Sequence, residues 1–95
     1  MANVGARTDW KTEDAYWREN YKRRPYCEPG STYDFYSPAY RFGYDATDRY
    51  SGKQWKDVES DLSRDWDRYE HRGQSTWEQM KNAVKDAWDR IVGNR

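Results

Sequence analysis

The sequence has few of the aliphatic side chains that fill most protein cores, with one Leu, one Ile and four Val among 95 residues. Its mean hydropathy of -1.51 would fit a disordered chain, but disorder also requires a high net charge. Here 17 basic residues balance 17 acidic residues, so that second condition is not met. We therefore expect the chain to fold.

The zero net charge and the lack of apolar runs exclude further classes. Binding to phosphate backbones needs a basic surface, so we expect no nucleic acid as a main partner. No apolar run approaches the roughly 18 residues of a membrane span, and residues 1–10 lack the apolar segment of a secretory signal. These features predict a cytoplasmic protein that does not insert into membranes.

Cysteine and histidine each occur once, as Cys27 and His71. A lone cysteine cannot form an intrachain disulfide, and a metal site would lack sulfur and imidazole ligands, so we expect neither a metal nor a cofactor. Cys27 is either a redox or interchain thiol or an inert side chain. His71 is either a general base or a cation at a helix C-terminus, and no Ser or Cys nucleophile stands out as its partner. The sequence thus predicts a protein that is not an enzyme.

Aromatic residues are abundant instead, with six Trp and nine Tyr. Each of these side chains can bury about 150–250 Å², and its N–H or O–H group needs a hydrogen-bond partner. Because 95 residues suffice for one domain, we predict a single domain over residues 1–95 with an aromatic core.

The most regular pattern lies at the C-terminus, where a helix is predicted over residues 76–92. Ser75 and Glu78 have the spacing of a capping box, and Gly93 is a stop signal. The spacing 3, 4, 4, 3 places the large apolar residues on one stripe, namely Trp77, Met80, Val84, Trp88 and Ile91.

A second helix of the same design is predicted over residues 53–70, with Ser51 as N-cap and Gln54 at N3. Its stripe also follows the spacing 3, 4, 4, 3 and consists of Trp55, Val58, Leu62, Trp66 and Tyr69. The connection from His71 to Gln74 is short, so the two helices should form an antiparallel hairpin with facing stripes.

The first half is less regular. We expect residues 1–11 to be flexible, residues 12–22 to form a helix, and residues 23–37 to form a loop because they hold two prolines and a glycine. Ser37 and Pro38 resemble N-cap and N1 of a short helix over residues 38–49. Gly43 inside that helix is tolerable if another backbone comes close there.

Together these elements predict an all-α fold, a small bundle of three to four helices. It would contain a C-terminal antiparallel helical hairpin and an irregular segment rich in Tyr, Pro and Gly.

A dense tyrosine series gives the leading functional hypothesis. Rigid aromatic rings beside an arginine are typical of interface hot spots. This hypothesis predicts a non-enzymatic interaction protein or accessory subunit that binds a protein partner or a second copy through Tyr33, Tyr36, Tyr40, Arg41 and Tyr44. The alternative is that these rings form the core, since the chain has little other apolar area.

A basic run gives a second hypothesis, a small ligand or single-stranded nucleic acid bound by Arg18, Lys22, Arg23, Arg24 and Tyr26. The alternative is that these cations stabilise the C-terminus of the first helix. A row of carboxylates at Asp57, Asp61 and Asp65 could hold a hard cation, or could form a solvated charged face paired with Arg64 and Arg68.

Three segments of the sequence carry a resemblance to a known family. They are the motif at residues 33–44 (YDFYSPAYRFGY), the segment with Trp55, Val58, Glu59 and Trp66, and the ending with Asp86, Ala87 and Trp88. Together they resemble a family of small bacterial Tyr/Trp-rich domains, some associated with general stress-response modules. The resemblance covers roughly residues 16–93 and implies a bacterial origin and stress-linked expression. It assigns no reaction and no ligand residue.

Overall fold

A computed structural model describes residues 9–93 and shows an all-α fold. Its four helices are α1 (Trp10–Asn20), α2 (Tyr33–Arg49), α3 (Trp55–Asp67) and α4 (Trp77–Gly93). Short 3-10 turns follow α1 at Tyr21–Arg23 and α3 at Glu70–Arg72. The described residues contain no strand. Of the segment predicted to be flexible, residues 1–8 lie outside the described part.

Helix α1 begins earlier than the predicted residue 12 because Asp9 caps it. The Asp9 carboxylate accepts a hydrogen bond of 3.0 Å from the backbone N–H of Thr12. This bond holds the pKa of Asp9 below its usual value. Trp10 and Lys11, expected to be flexible, therefore belong to the first turn.

Helix α2 corrects the prediction of a loop over residues 23–37 and of a helix start at Ser37 and Pro38. The loop ends at Thr32, and Pro38 lies inside the helix. Pro38 has no backbone N–H and therefore cannot donate the helical hydrogen bond to the carbonyl of Asp34, four residues earlier. Burial of Tyr33 and Tyr36, ahead of the proline, compensates for this loss because both rings enter the core.

The N-caps predicted for the last two helices are wrong by one to three residues. Gln54, not Ser51, caps α3 and forms a capping box with Asp57. Thr76, not Ser75, caps α4. The Gln79 backbone N–H donates to the Thr76 hydroxyl at 3.2 Å, and in return the Thr76 backbone N–H donates to the Gln79 side chain at 2.9 Å. Helix α3 also ends at Asp67, so Tyr69 lies beyond it.

The bundle is centred on the packing of α2 against α4. A methyl group at Gly43 would collide with the backbone carbonyl of Val84 and lie 3.0 Å from Cβ of Ala87. The condition under which Gly43 is tolerable inside the helix, a second backbone close to it, is thus met by α4. Helix α3 also packs against α4, but α2 covers more of α4 than α3 does. The two predicted stripes therefore meet α2 as well as each other.

The core is aromatic, and the predicted stripe of α4 is buried along its whole length. Helix α1 joins the core through Trp17, whose ring stacks on Tyr40 with centroids 4.4 Å apart and planes within 4°. Among residues 9–93, one charged side chain is also buried: Glu13 is 2% exposed and accepts a 2.8 Å hydrogen bond from Arg90 of α4. Sequence patterns gave no sign of this pair, which links the first and last helices.

Candidate functional site

The structure separates the five residues predicted to bind a partner. The rings of Tyr33, Tyr36, Tyr40 and Tyr44 are all buried, with exposed fractions between 0% and 7%. Arg41 is exposed on α2 and makes a hydrogen bond of 3.3 Å to Asp45. The tyrosines thus occupy the core, the alternative that the sequence left open, and only Arg41 is available at the surface.

The hydroxyl of one of these tyrosines, Tyr40, connects to the surface through a hydrogen bond to Tyr26. Tyr26 donates to Oδ2 of Asp86 at 2.7 Å, and its oxygen lies 2.8 Å from the Tyr40 hydroxyl. Because Tyr26 has a single proton and gives it to the carboxylate, Tyr40 must be the donor to Tyr26. Arg24 holds the same carboxylate in a two-point contact of 2.7 and 3.2 Å.

Burial raises the pKa of three tyrosines in this part of the core. For Tyr26, loss of hydration is the largest cause, and the bonds to Tyr40 and Asp86 add to it. For Tyr33, burial is the largest cause of the raised pKa, and the hydrogen bond of 2.7 Å to Asp14 is the second. Burial also raises the pKa of Tyr40. All three hydroxyls therefore act as donors and not as bases at neutral pH.

The basic cluster predicted at residues 18–26 is divided among separate contacts. Arg18 bonds Asp14 at 3.3 Å and lies over the Tyr33 ring, whereas Arg23 bonds Asn20. Lys22 is exposed in the 3-10 turn. Of the five residues in the predicted cluster, only Arg24 and Tyr26 share a contact, because both donate to the carboxylate of Asp86.

A concave surface that sequence reasoning missed lies between α2 and the segment after α3. We call it the Tyr69 cleft; its volume is about 550 Å³ and its lining is Arg41, Asp45, Arg68, Tyr69, Glu70 and His71. The Tyr69 ring forms its aromatic wall and packs on Phe42 and Trp66, with centroids 5.1 and 5.4 Å away. A tightly packed aromatic ring and charged side chains of both signs thus line one concave surface.

The charges of the Tyr69 cleft are mixed. Burial raises the pKa of Tyr69, and the nearby Asp45 carboxylate raises it further, so the phenol remains a hydrogen-bond donor. His71 lies 3.3 Å from Glu70 and packs edge-on against Tyr69, but its side chain is 65% exposed. The cleft therefore offers both donors and acceptors to a ligand.

A second, smaller concavity of about 330 Å³ lies beside Asp86. Its lining is Arg24, Pro25, Tyr26, Asn82, Lys85, Asp86 and Asp89. Lys85 is paired with Asp89 at 2.8 Å, and Arg24 and Tyr26 are engaged by Asp86. We call this the Asp86 cleft, and most of its charged groups already satisfy one another.

The carboxylate row of α3 is partnered within the protein. Asp57 belongs to the capping box, Asp61 accepts from Arg64 at 2.7 Å, and Asp65 accepts from Tyr50 at 3.0 Å. Among residues 9–93 there is no group of three or more His, Cys, Asp or Glu placed to hold a metal ion. Cys27 is half-buried, and its thiol donates to the carbonyl of Glu28.

The fold and these surfaces define a small helical bundle with an aromatic, hydrogen-bonded core and two polar clefts. None of the described helices combines the length and apolar character required to cross a membrane. Comparison with models of known protein families, with curated proteins and with solved structures found no match to this chain.

Proposed function

We propose that this protein is a non-enzymatic interaction module that binds a partner protein at the Tyr69 cleft. The observation that carries the proposal is that Arg41 and Tyr69, which come from different elements, line one concavity of about 550 Å³. Tyrosine and arginine are the residue types enriched at interface hot spots. Arg41 is also the one exposed member of the partner-binding set predicted from sequence.

Rigidity of the cleft supports this proposal. The Tyr69 ring is held by Phe42 and Trp66, so little conformational freedom is lost when a partner contacts it. Around it, Arg41, Arg68, Asp45 and Glu70 provide charges of both signs. The partner surface that fits is a polar loop or helix end carrying mixed charges, because each cleft charge then meets an opposite one.

A photo-crosslinking experiment tests the proposal. A photoreactive residue replacing Glu70, whose side chain is 83% exposed, should capture one partner protein in lysate from the source cells. The same residue replacing exposed Ser60 on α3, outside the capping box, is the matched control. Arg41→Ala and Tyr69→Phe should each weaken binding of the identified partner, measured by calorimetry, whereas Arg64→Ala should not. Equal capture at both positions, or no capture at Glu70, would contradict the proposal.

Self-association through the same cleft is a variant of the proposal. Sedimentation of the purified chain distinguishes self-association from binding of another protein. A dimer that Arg41→Ala dissociates would identify a second copy as the partner, whereas a monomer would mean that the partner is a different protein. The predicted cytoplasmic location and the stress-linked role implied by the resemblance remain predictions from sequence.

A small-ligand role for the basic cluster is supported by one observation, that Arg24 and Tyr26 line the Asp86 cleft. It is the weaker proposal because both side chains are committed to Asp86 by hydrogen bonds of 2.7 Å. A ligand would have to replace those bonds to bind there.

A further inference from the structure

Six buried or half-buried rings of α1, α2 and the segment between them form one connected series, which we call the ring circuit. Successive centroids are 4.4, 6.2, 5.4, 6.1 and 5.8 Å apart, in the order Trp17, Tyr40, Tyr33, Tyr21, Tyr36, Tyr26. The hydroxyl contact of 2.8 Å between Tyr26 and Tyr40 joins the last ring of the series to the second, so Trp17 and Tyr26 are linked through Tyr40 alone. Indole and phenol are the side chains that lose a single electron most readily, and electrons pass rapidly between rings at such distances.

The ends of this circuit differ in their access to a proton acceptor. The indole N–H of Trp17 is buried and has no hydrogen-bond partner among the described residues, so no protein acceptor is positioned there for the proton of an oxidised Trp17. The Tyr26 hydroxyl, in contrast, already donates to a carboxylate at 2.7 Å. That distance is within the range for direct proton transfer.

We propose that the ring circuit is a relay for one-electron oxidation, in which an oxidising equivalent received at Trp17 comes to rest as a neutral tyrosyl radical on Tyr26. A one-electron oxidant at the surface, such as the carbonate radical anion, takes one electron and is reduced to carbonate. Trp17 becomes a radical cation and recovers its electron from Tyr26 through the stacked ring of Tyr40. The phenolic O–H bond of Tyr26 breaks, and its proton bonds to Asp86, which becomes a neutral carboxylic acid.

The surroundings of Asp86 favour this end point. Tyr40 donates to Tyr26, so the oxygen that loses a proton to Asp86 keeps one hydrogen bond after oxidation. Arg24 remains bound to the Asp86 side chain and fixes its position for the return of the proton. Tyr33, another member of the ring circuit, forms a comparable pair of 2.7 Å with Asp14.

Flash photolysis tests the proposal, with a ruthenium tris-bipyridine sensitiser and a cobalt(III) ammine as electron acceptor. Transient absorption and freeze-quench electron paramagnetic resonance would detect a tyrosyl radical in the folded chain. Tyr26→Phe and Asp86→Asn should each slow its formation by about tenfold or more, a modest part of what a positioned proton acceptor contributes. Trp17→Phe keeps a stacked ring and should also slow it.

Tyr50→Phe is the matched control, because Tyr50 donates to Asp65 at 3.0 Å but lies outside the circuit. It should leave the signal unchanged. Far-ultraviolet circular dichroism checks that each variant is folded at the temperature used. If the Asp86 variant unfolds, the Trp17 and Tyr26 variants still test the proposal independently. Equal radical formation in wild type, Tyr26→Phe and Trp17→Phe, or a radical abolished by Tyr50→Phe, would overturn the proposal.

Discussion

Asp86 of α4 accepts a hydrogen bond of 2.7 Å from the hydroxyl of Tyr26, 60 residues earlier in the chain. The same carboxylate binds Arg24, so one side chain fixes the loop after α1 against the last helix. Because Tyr40 donates to Tyr26, this surface carboxylate also completes the hydrogen bonding of a fully buried phenol. Tyr26 and Tyr40 thereby contribute to the stability of the fold.

Replacing Asp86 should destabilise the fold. Asp86→Asn keeps the shape but removes the charge that holds Arg24, and we expect the free energy of unfolding to fall by about 2 kcal/mol. Urea unfolding monitored by tryptophan fluorescence measures this change. Asp89→Asn on the same helix removes only the exposed pair with Lys85 and should change stability by less than about 1 kcal/mol. Equal effects of the two variants would contradict the role assigned to Asp86.

Stability should fall steeply at alkaline pH. Burial raises the pKa of Tyr26 above its ordinary value of 10.0 in the folded protein, whereas the unfolded chain ionises near that value. The contribution is therefore complete below pH 10 and is lost above it, by up to about 1.4 kcal/mol per pH unit for each such tyrosine. Urea unfolding across this pH range should show a shallower dependence for Tyr26→Phe. An identical slope in that variant would show that Tyr26 ionises normally in the fold.

Adding one methyl group at Gly43 should be harmful. Alanine normally stabilises a helix by about 1 kcal/mol relative to glycine. At Gly43 it would collide with the Val84 carbonyl, so we expect Gly43→Ala to lower the free energy of unfolding by about 2–3 kcal/mol. Gly93, at the end of α4, has open space around its Cβ position, and Gly93→Ala should be neutral or slightly stabilising. Thermal unfolding of both variants measures whether alanine stabilises or destabilises the fold at each site.

The start of α4 can be tested against the start expected from sequence. Thr76→Ala removes the hydroxyl that accepts from Gln79 and should cost about 1 kcal/mol. Ser51, expected to cap α3, is exposed and outside the cap, so Ser51→Ala should change stability by less than about 0.5 kcal/mol. A larger loss at Ser51 than at Thr76 in urea unfolding would contradict the observed caps.

Sequence reasoning located α4 and its buried stripe well because the 3, 4, 4, 3 spacing of large side chains is a strong signal of one helical face. The predicted start of α2 is wrong because proline is common at the first position of a helix, whereas Pro38 lies inside α2. The spacing of Tyr33, Tyr36 and Tyr40 continues through that proline with helical period, and this was the available signal. The caps were misplaced because several adjacent polar residues satisfy the same pattern.

The candidate site could not be predicted from sequence, because it depends on which elements meet in space. Arg41 and Tyr69 come together only when α2 packs beside the segment that follows α3. The pairing of Glu13 with Arg90 likewise joins opposite ends of the chain. Composition indicated an aromatic core, but it did not tell core tyrosines from surface ones.

Mass-spectrometric mapping of tyrosine nitration in the folded protein tests the placement of the tyrosines most directly. Tyr36 and Tyr40 are 2% and 0% exposed, so both should resist tetranitromethane, whereas half-buried Tyr16 and Tyr50 should react. All four should react at comparable rates after unfolding in guanidinium. Nitration of Tyr36 and Tyr40 in the native protein as fast as that of Tyr50 would contradict the account, because it would mean that these two rings are exposed to solvent.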